Sequence, residues 1–168
     1  GRRPDGSLSG ILKETAIDLA YAALPQSGPE TRRAALREIW PAFWSQGITA
    51  VTDMGFRGLD LWRDLGDLRS EGSLGLRVAV YVMEDGIDEA LALGLPQLPP
   101  DPWLRAAGLK LFLDGTLGSR TAWLLDPYEG TASAYGLATM RPEDVMAAVG
   151  WAAEAGWPTA AHAIGDAA

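Results

Sequence analysis

Two side chains have types and settings that could do chemistry. Lys110 lies in the apolar run Gly108-Leu-Lys-Leu-Phe-Leu113, in a chain whose other basic residues are Lys13 and twelve arginines. Side chains alternate along a strand, so Lys110, Phe112 and Asp114 share one face, with Leu109, Leu111 and Leu113 on the other. Burial of a lysine there disfavours the ammonium and favours the neutral amine. A neutral amine attacks carbonyls to give Schiff bases, or takes up carbon dioxide to give an anionic carbamate that can bridge two divalent metals. The alternative is an ion pair between Lys110 and a carboxylate such as Asp114 or Asp53. His162, the one histidine of the chain, sits in Thr159-Ala-Ala-His-Ala-Ile-Gly-Asp166 among small neighbours. It is either a ligand for a divalent metal or a hydrogen-bonded core histidine.

Further candidates cluster at the ends of strand-like runs. Asp53 closes one, Glu84 and Asp85 close another, and Asp166 follows a third; each alone also suits a turn or cap. Asp114-Gly-Thr-Leu-Gly-Ser-Arg120 has the glycines, hydroxyls and arginine of an anion-binding loop. It lacks the Gly-Lys-Ser/Thr of a Walker loop and the spacing of a dinucleotide fingerprint, and an ordinary turn after a strand is the competing reading. Trp123 is the one tryptophan of the seven placed to touch a substrate; the others read as packing.

These residues need elements to hold them. Residues 10–24 read as a helix stopped by Pro25. A second begins near Pro29 with Leu36, Ile39, Trp40 and Phe43 at helical spacing and Gly47 after its end, with Pro41 predicted to bend or shorten it. Ile48–Asp53 and Leu76–Met83 read as strands, joined by a helix marked by Leu61, Trp62, Leu65 and Leu68. Ile87–Leu95 is a short helix before a proline-rich stretch. Gly108–Leu113 is a third strand, and Trp157–Ala163 a fourth. Between those two strands lie an unusually long loop, Asp114–Arg141, and a helix opened by Pro142 with Val145, Val149 and Ala152 on one face. Apolar strands joined by helices imply parallel βαβ units with both faces covered. The fold class is therefore α/β. A (β/α)8 barrel needs eight strands and about 250 residues, so four strands amount to a partial barrel. A small doubly wound sheet is the other solution.

Composition narrows the function. With 14 Lys+Arg against 22 Asp+Glu and a net charge of −8, nucleic acid and anionic membrane surfaces are poor partners. No apolar run is long enough to span a bilayer, and Gly1–Asp5 has no signal-peptide core, so a cytoplasmic location is expected. The absence of cysteine excludes disulfides, thiolate zinc sites and cysteine nucleophiles. One histidine cannot complete a site that needs two. The chain stops at Ala168 with no helix after its last strand, which leads us to expect a piece of a larger protein.

The run from Gly108 through Lys110 and Asp114-Gly-Thr to Tyr128, followed by His162-Ala-Ile-Gly-Asp166, resembles the amidohydrolase superfamily. Its closest branch looks like the amidohydrolase-3 group, which includes N-substituted formamide deformylase-like enzymes. Gly6–Glu14 and Gly47-Ile-Thr-Ala-Val-Thr-Asp-Met-Gly55 look like the same branch, so the resemblance runs across nearly the whole chain. It implies a metal-dependent hydrolase on a (β/α)8 barrel, with residues 1–168 as one partial barrel domain. Residues 1–46 would be a helical lead-in and 47–168 the βα units, the strands corresponding to strands 2 to 5. Lys110 then matches the often carbamylated fourth-strand lysine, and His162 the fifth-strand histidine.

The resemblance further implies one or two divalent metals, zinc foremost, and hydrolysis of an amide-type, non-peptide C–N bond in a small-molecule substrate. Asp53, Asp114, Arg120, Trp123 and Asp166 would stand behind the ligands or contact substrate. The His-x-His pair, the second lone histidine and the catalytic aspartate of the family have no counterpart here, so the isolated chain is expected to be inactive. Its partners are the remainder of its own barrel and, through exposed sheet edges, copies of itself. A reading from another class is a small α/β module that holds an anion or phosphorylated ligand on the 114–120 loop. A third is an acidic interaction domain for a basic partner.

Overall fold

The computed structural model describes residues 1–12, 16–56, 58–99 and 101–168. The elements are α1 (Ala16–Ala23), α2 (Pro29–Ser45), β1 (Ala50–Phe56), α3 (Asp60–Ser70), β2 (Arg77–Met83), α4 (Ile87–Ala92), β3 (Leu104–Phe112), α5 (Pro142–Glu154) and β4 (Thr159–His162), with short 3-10 turns at Glu84–Gly86 and Leu95–Gln97. They divide into two compact units. One comprises Ser27–Leu113 and Met140–His162; the other comprises Gly1–Gln26, Asp114–Thr139 and Ala163–Ala168.

The first unit holds the sheet. Its four strands are all parallel and lie in the order β1-β2-β3-β4, each beside its successor in sequence. A doubly wound sheet reverses direction at a switch point. Here the order never reverses, so the fold is a partial (β/α)8 barrel and the doubly wound alternative falls. Register assigns the faces. Val78, Val80 and Val82 of β2 pair with Leu104, Ala106 and Leu109 of β3, and these side chains build two apolar clusters with the helices. Leu109, Leu111 and Val82 pack with Ala148, Ala152 and Trp157, and Val78, Val80 and Leu104 with Trp40, Leu65 and Leu68. The opposite face carries Tyr81 beside Gly108 and Met83 beside Lys110. It also carries Lys110 beside Ala160 and Phe112 beside His162.

Local chemistry explains where elements depart from the sequence reading. The first helix is shorter than residues 10–24: Gly10 takes a left-handed φ of 79° and ends a turn stretch, while Lys13–Thr15 lie outside the described residues. α2 runs on past Pro41 to Ser45, because the buried indole of Trp40 anchors that stretch. Trp40 lies so close to Gly75 that a Cβ there would overlap its ring. β1 starts later and continues through an irregularity between Asp53 and Phe56, where Gly55 adopts a φ of 113°. β3 begins four residues before Gly108 and carries its own register shift.

The second unit is loop-rich. From Asp114 to Thr139 the chain has no helix or strand but is knitted to itself. The amide of Leu124 donates to the carbonyl of Tyr135, that of Tyr128 to Ala134, and that of Leu137 to Thr121. The Tyr128 hydroxyl donates to the carbonyl of Ala122 at 3.0 Å.

Candidate functional site

Lys110 and His162 come together. Both lie near the carboxyl ends of neighbouring strands, the end where α/β barrels keep their sites. The register Lys110↔Ala160 and Phe112↔His162 places them on one face. Phe112 lies between them in contact terms. The Lys110 amine is 4.4 Å from the centroid of its ring, and the imidazole centroid is 5.3 Å away at 43°. The ladder continues beyond them, with the Leu113 amide donating to the His162 carbonyl at 2.9 Å.

Lys110 is buried, at 7% exposure. Burial alone pushes its pKa below the ordinary lysine value. Among the described residues it forms no salt bridge, so an ion pair with Asp53 is not what holds it. Its stem is packed instead. A Cβ on Gly55 would stand 2.8 Å from Met83 Cγ and 3.1 Å from Lys110 Cγ. Gly55 therefore leaves the space through which the lysine extends.

The remaining candidates have other positions. Asp53 pairs in register with Val80, on the face turned to the helices, and accepts the Gly55 amide at 3.1 Å. Partial burial raises its pKa against that hydrogen bond. Asp114, Trp123 and Asp166 organise the loop unit. Asp114 is buried, at 2% exposure, and its carboxylate accepts the amides of Trp123 at 2.9 Å, Ile164 at 3.0 Å and Gly165 at 2.7 Å. Asp166 is exposed and accepts the amide of Leu125 at 2.9 Å. Arg120 is exposed, with an unusual left-handed φ of 58°. The hydroxyls of the 114–120 loop are engaged with one another: Thr116 with Ser119 at 2.9 Å, and Ser119 with Thr121 at 2.5 Å. That internal bonding uses the groups an anion would need.

The sequence reading did not single out Phe112, Gly55, Met83 or Gly165 as site or framework residues. Phe112 was visible two residues from Lys110 on the same face. Gly55 and Met83 become neighbours of Lys110 only through strand pairing. Gly165 is fixed because a Cβ there would overlap the backbone of Trp123.

Burial lowers the Lys110 pKa, and with the His162 imidazole on the same wall the two side chains form a donor pair that suits a divalent metal of the zinc type. Among the described residues no group of three or more His, Cys, Asp or Glu is placed to hold a metal. The donor pair fits part of a coordination shell and not the whole.

The profile of the amidohydrolase family matches residues 1–168. Protein LONG AFTER FAR-RED 3 of Arabidopsis thaliana is 30% identical over 175 residues, which cover 98% of this chain and 30% of the relative. The putative amidohydrolase YtcJ of Bacillus subtilis is 28% identical over 167 residues, covering 96% and 31%. Among solved structures, an uncharacterized metal-dependent hydrolase from Pyrococcus horikoshii superposes with a TM-score of 0.79 at 29% identity, over 95% of this chain and 33% of its own. Another from Pyrococcus furiosus gives a TM-score of 0.75 at 25% identity, covering 90% and 32%. The chain thus spans about a third of the length of these relatives.

Proposed function

Because this chain belongs to the amidohydrolase family, we propose that it forms part of a metal-dependent hydrolase barrel, with Lys110 and His162 among the metal ligands. One observation carries the reading: the two side chains share a face on adjacent strands, against the same phenyl ring. The two solved neighbours, both described as metal-dependent hydrolases, support it. The self-bonded hydroxyls of the 114–120 loop favour it over an anion module.

When bound, a divalent metal such as zinc supplies Lewis acidity toward water and toward a substrate carbonyl. The chain's own residues prepare for it. Burial pushes the Lys110 pKa down, which favours the amine whose nitrogen can add to the carbon of CO2, with loss of a proton, to give a carbamate bearing two oxygen donors. His162 presents an imidazole nitrogen from the neighbouring strand. Phe112 packs its ring against both. The substrate in this reading is a small molecule with an amide-type, non-peptide C–N bond, and the N-substituted formamides of the resembled branch are the first to try. The other ligands come from strands outside these 168 residues, since no second histidine exists in them. The chain alone is then inactive, and it self-associates through the free edges of β1 and β4.

The test compares metal content and amide hydrolysis of the polypeptide that carries the remaining strands with those of its Lys110→Ala and His162→Ala variants. Loss of bound metal together with loss of turnover is expected in both. Full metal content and retained turnover in both would overturn the assignment. For self-association, sedimentation of the 168-residue chain should show dimers or larger species, and a monodisperse monomer at high concentration would refute that part.

A further inference from the structure

The face that carries Lys110 near one end of the sheet carries two arginines at the other. Arg77 opens β2 and Arg105 lies in the first turn of pairing of β3, at the amino ends of the strands. Arg105 pairs with Ala79, two residues beyond Arg77 on the same face, so the two arginines are diagonal neighbours. Beside them lie Ala50, which pairs with Arg77, and Thr52, which pairs with Ala79. These small side chains leave a hollow of about 340 Å³, lined also by Asp101 and Trp103.

Among the described residues no carboxylate bridges to either arginine of this hollow. Arg32, Arg33, Arg37, Arg63, Arg69 and Arg141 all bridge to carboxylates. Arg77 donates to the Thr49 hydroxyl at 3.0 Å, and neither it nor Arg105 pairs with a carboxylate among the described residues. Asp101 is not their counter-ion. Arg69 Nε holds its two oxygens at 3.1 and 3.2 Å, the amides of Trp103 and Leu104 donate to it, and its pKa is driven down to about 2. Two like-charged, fork-shaped donors side by side over a hollow of small residues match an oxyanion, which guanidinium groups bind through paired, charge-assisted hydrogen bonds.

We propose that Arg77 and Arg105 form an oxyanion site in this hollow, at the opposite end of the sheet from Lys110 and His162. The bound group is a carboxylate or a phosphate, and Thr52 offers a hydroxyl beside it. The site is independent of the metal reading, and neither stands or falls with the other.

Isothermal titration of the polypeptide that carries the remaining strands with inorganic phosphate and, separately, with succinate, each against sodium chloride at equal ionic strength, tests this. Saturable binding of at least one anion is expected. Arg105→Gln and Arg77→Gln should each weaken it tenfold or more, and Arg141→Gln, remote from the hollow, should bind as the parent does. A preference for phosphate would identify a free phosphate group as the occupant, and a preference for succinate a carboxylate. Arg105→Lys keeps the charge and loses the fork, and should bind between parent and Gln variant, which covers failure of Arg105→Gln to fold. Binding no stronger than the chloride blank, or equal binding by parent and Arg105 variants, would overturn the proposal.

Discussion

Lys110 and His162 stand on the same face of neighbouring strands and share the ring of Phe112, the amine at 4.4 Å and the imidazole at 5.3 Å from its centroid. The ring offers its negative face to an ammonium, worth about 0.5–2 kcal/mol. That is weaker compensation than a carboxylate hydrogen-bonded to the amine. Desolvation therefore governs the lysine, and its pKa is lowered.

The sign of the stability effect follows. Lys110 holds its proton less tightly folded than unfolded, so between the folded and unfolded pKa values the unfolded chain binds more protons and stability rises with pH. Below the folded pKa the penalty is fully present. Near the ordinary lysine value, about 10.4, it has vanished. Lys110→Met in the metal-free chain should therefore be more stable than the parent at pH 7, and the gap should close as pH climbs toward that value. Urea denaturation at a series of pH values with chelator present measures it. A gap that stays constant or widens would show that the ammonium is well compensated.

Asp114 should matter for order in the loop unit. Its carboxylate is buried and accepts three backbone amides, those of Trp123, Ile164 and Gly165. Charge-assisted bonds of this kind contribute about 1.5–3 kcal/mol each, and their loss strands buried donors. Asp114→Ala should cost about 3–4 kcal/mol, and Asp114→Asn, which keeps one acceptor oxygen, about half. Hydrogen exchange should quicken at the amides of Ile164 and Gly165 in both variants. Unchanged protection there would refute the role.

Glycine substitutions should divide sharply by backbone. Gly66 in α3 and Gly150 in α5 have open space where a Cβ would go and no positive φ. Alanine at each should stabilise by roughly 0.5–1 kcal/mol through helix propensity. At Gly165 the new carbon would overlap the Trp123 carbonyl. At Gly136, with φ at 80°, it would overlap that of Ala122. Backbone cannot swing aside as a side chain can, so both variants should lose roughly 2–4 kcal/mol. Thermal melts of the four single variants settle the ordering.

The same contrast explains what was legible in the sequence. Apolar period and helix punctuation identified the four strands and α2, α3 and α5, because those signals are local. They also put Lys110 and Phe112 on one face. Partnership across the sheet is set by strand order and register, so the roles of Gly55, Met83 and Ala160 around Lys110 were not readable. Asp114 looked like a ligand or turn residue because its three amide donors lie nine, fifty and fifty-one positions away in sequence. Arg77 and Arg105 are twenty-eight residues apart, and only the pairing of Ala79 with Arg105 makes them neighbours.

Ion pairs that tie α3 to α2 and to α4 should differ in worth according to burial. The Asp64 side chain is 2% exposed and takes Arg32 Nε at 2.5 Å, with Arg33 at 3.7 Å. Removing this buried carboxylate leaves Arg32 with Asp60 at 3.5 Å and Arg33 with Glu30 and Asp67, and both arginines retain some access to water. Asp64→Ala should cost about 2–3 kcal/mol, less than the 3–5 of a fully buried pair. The Arg63–Glu89 pair is open to solvent on both sides. Such pairs contribute about 0–1 kcal/mol and are screened by salt. Glu89→Gln should therefore shift stability by less than about 0.5 kcal/mol, and raising sodium chloride from 0.05 to about 0.5 M should erase that shift. The Asp64 effect should survive the same salt. Equal salt sensitivity at both positions would mean that burial of Asp64 does not shield its ion pair.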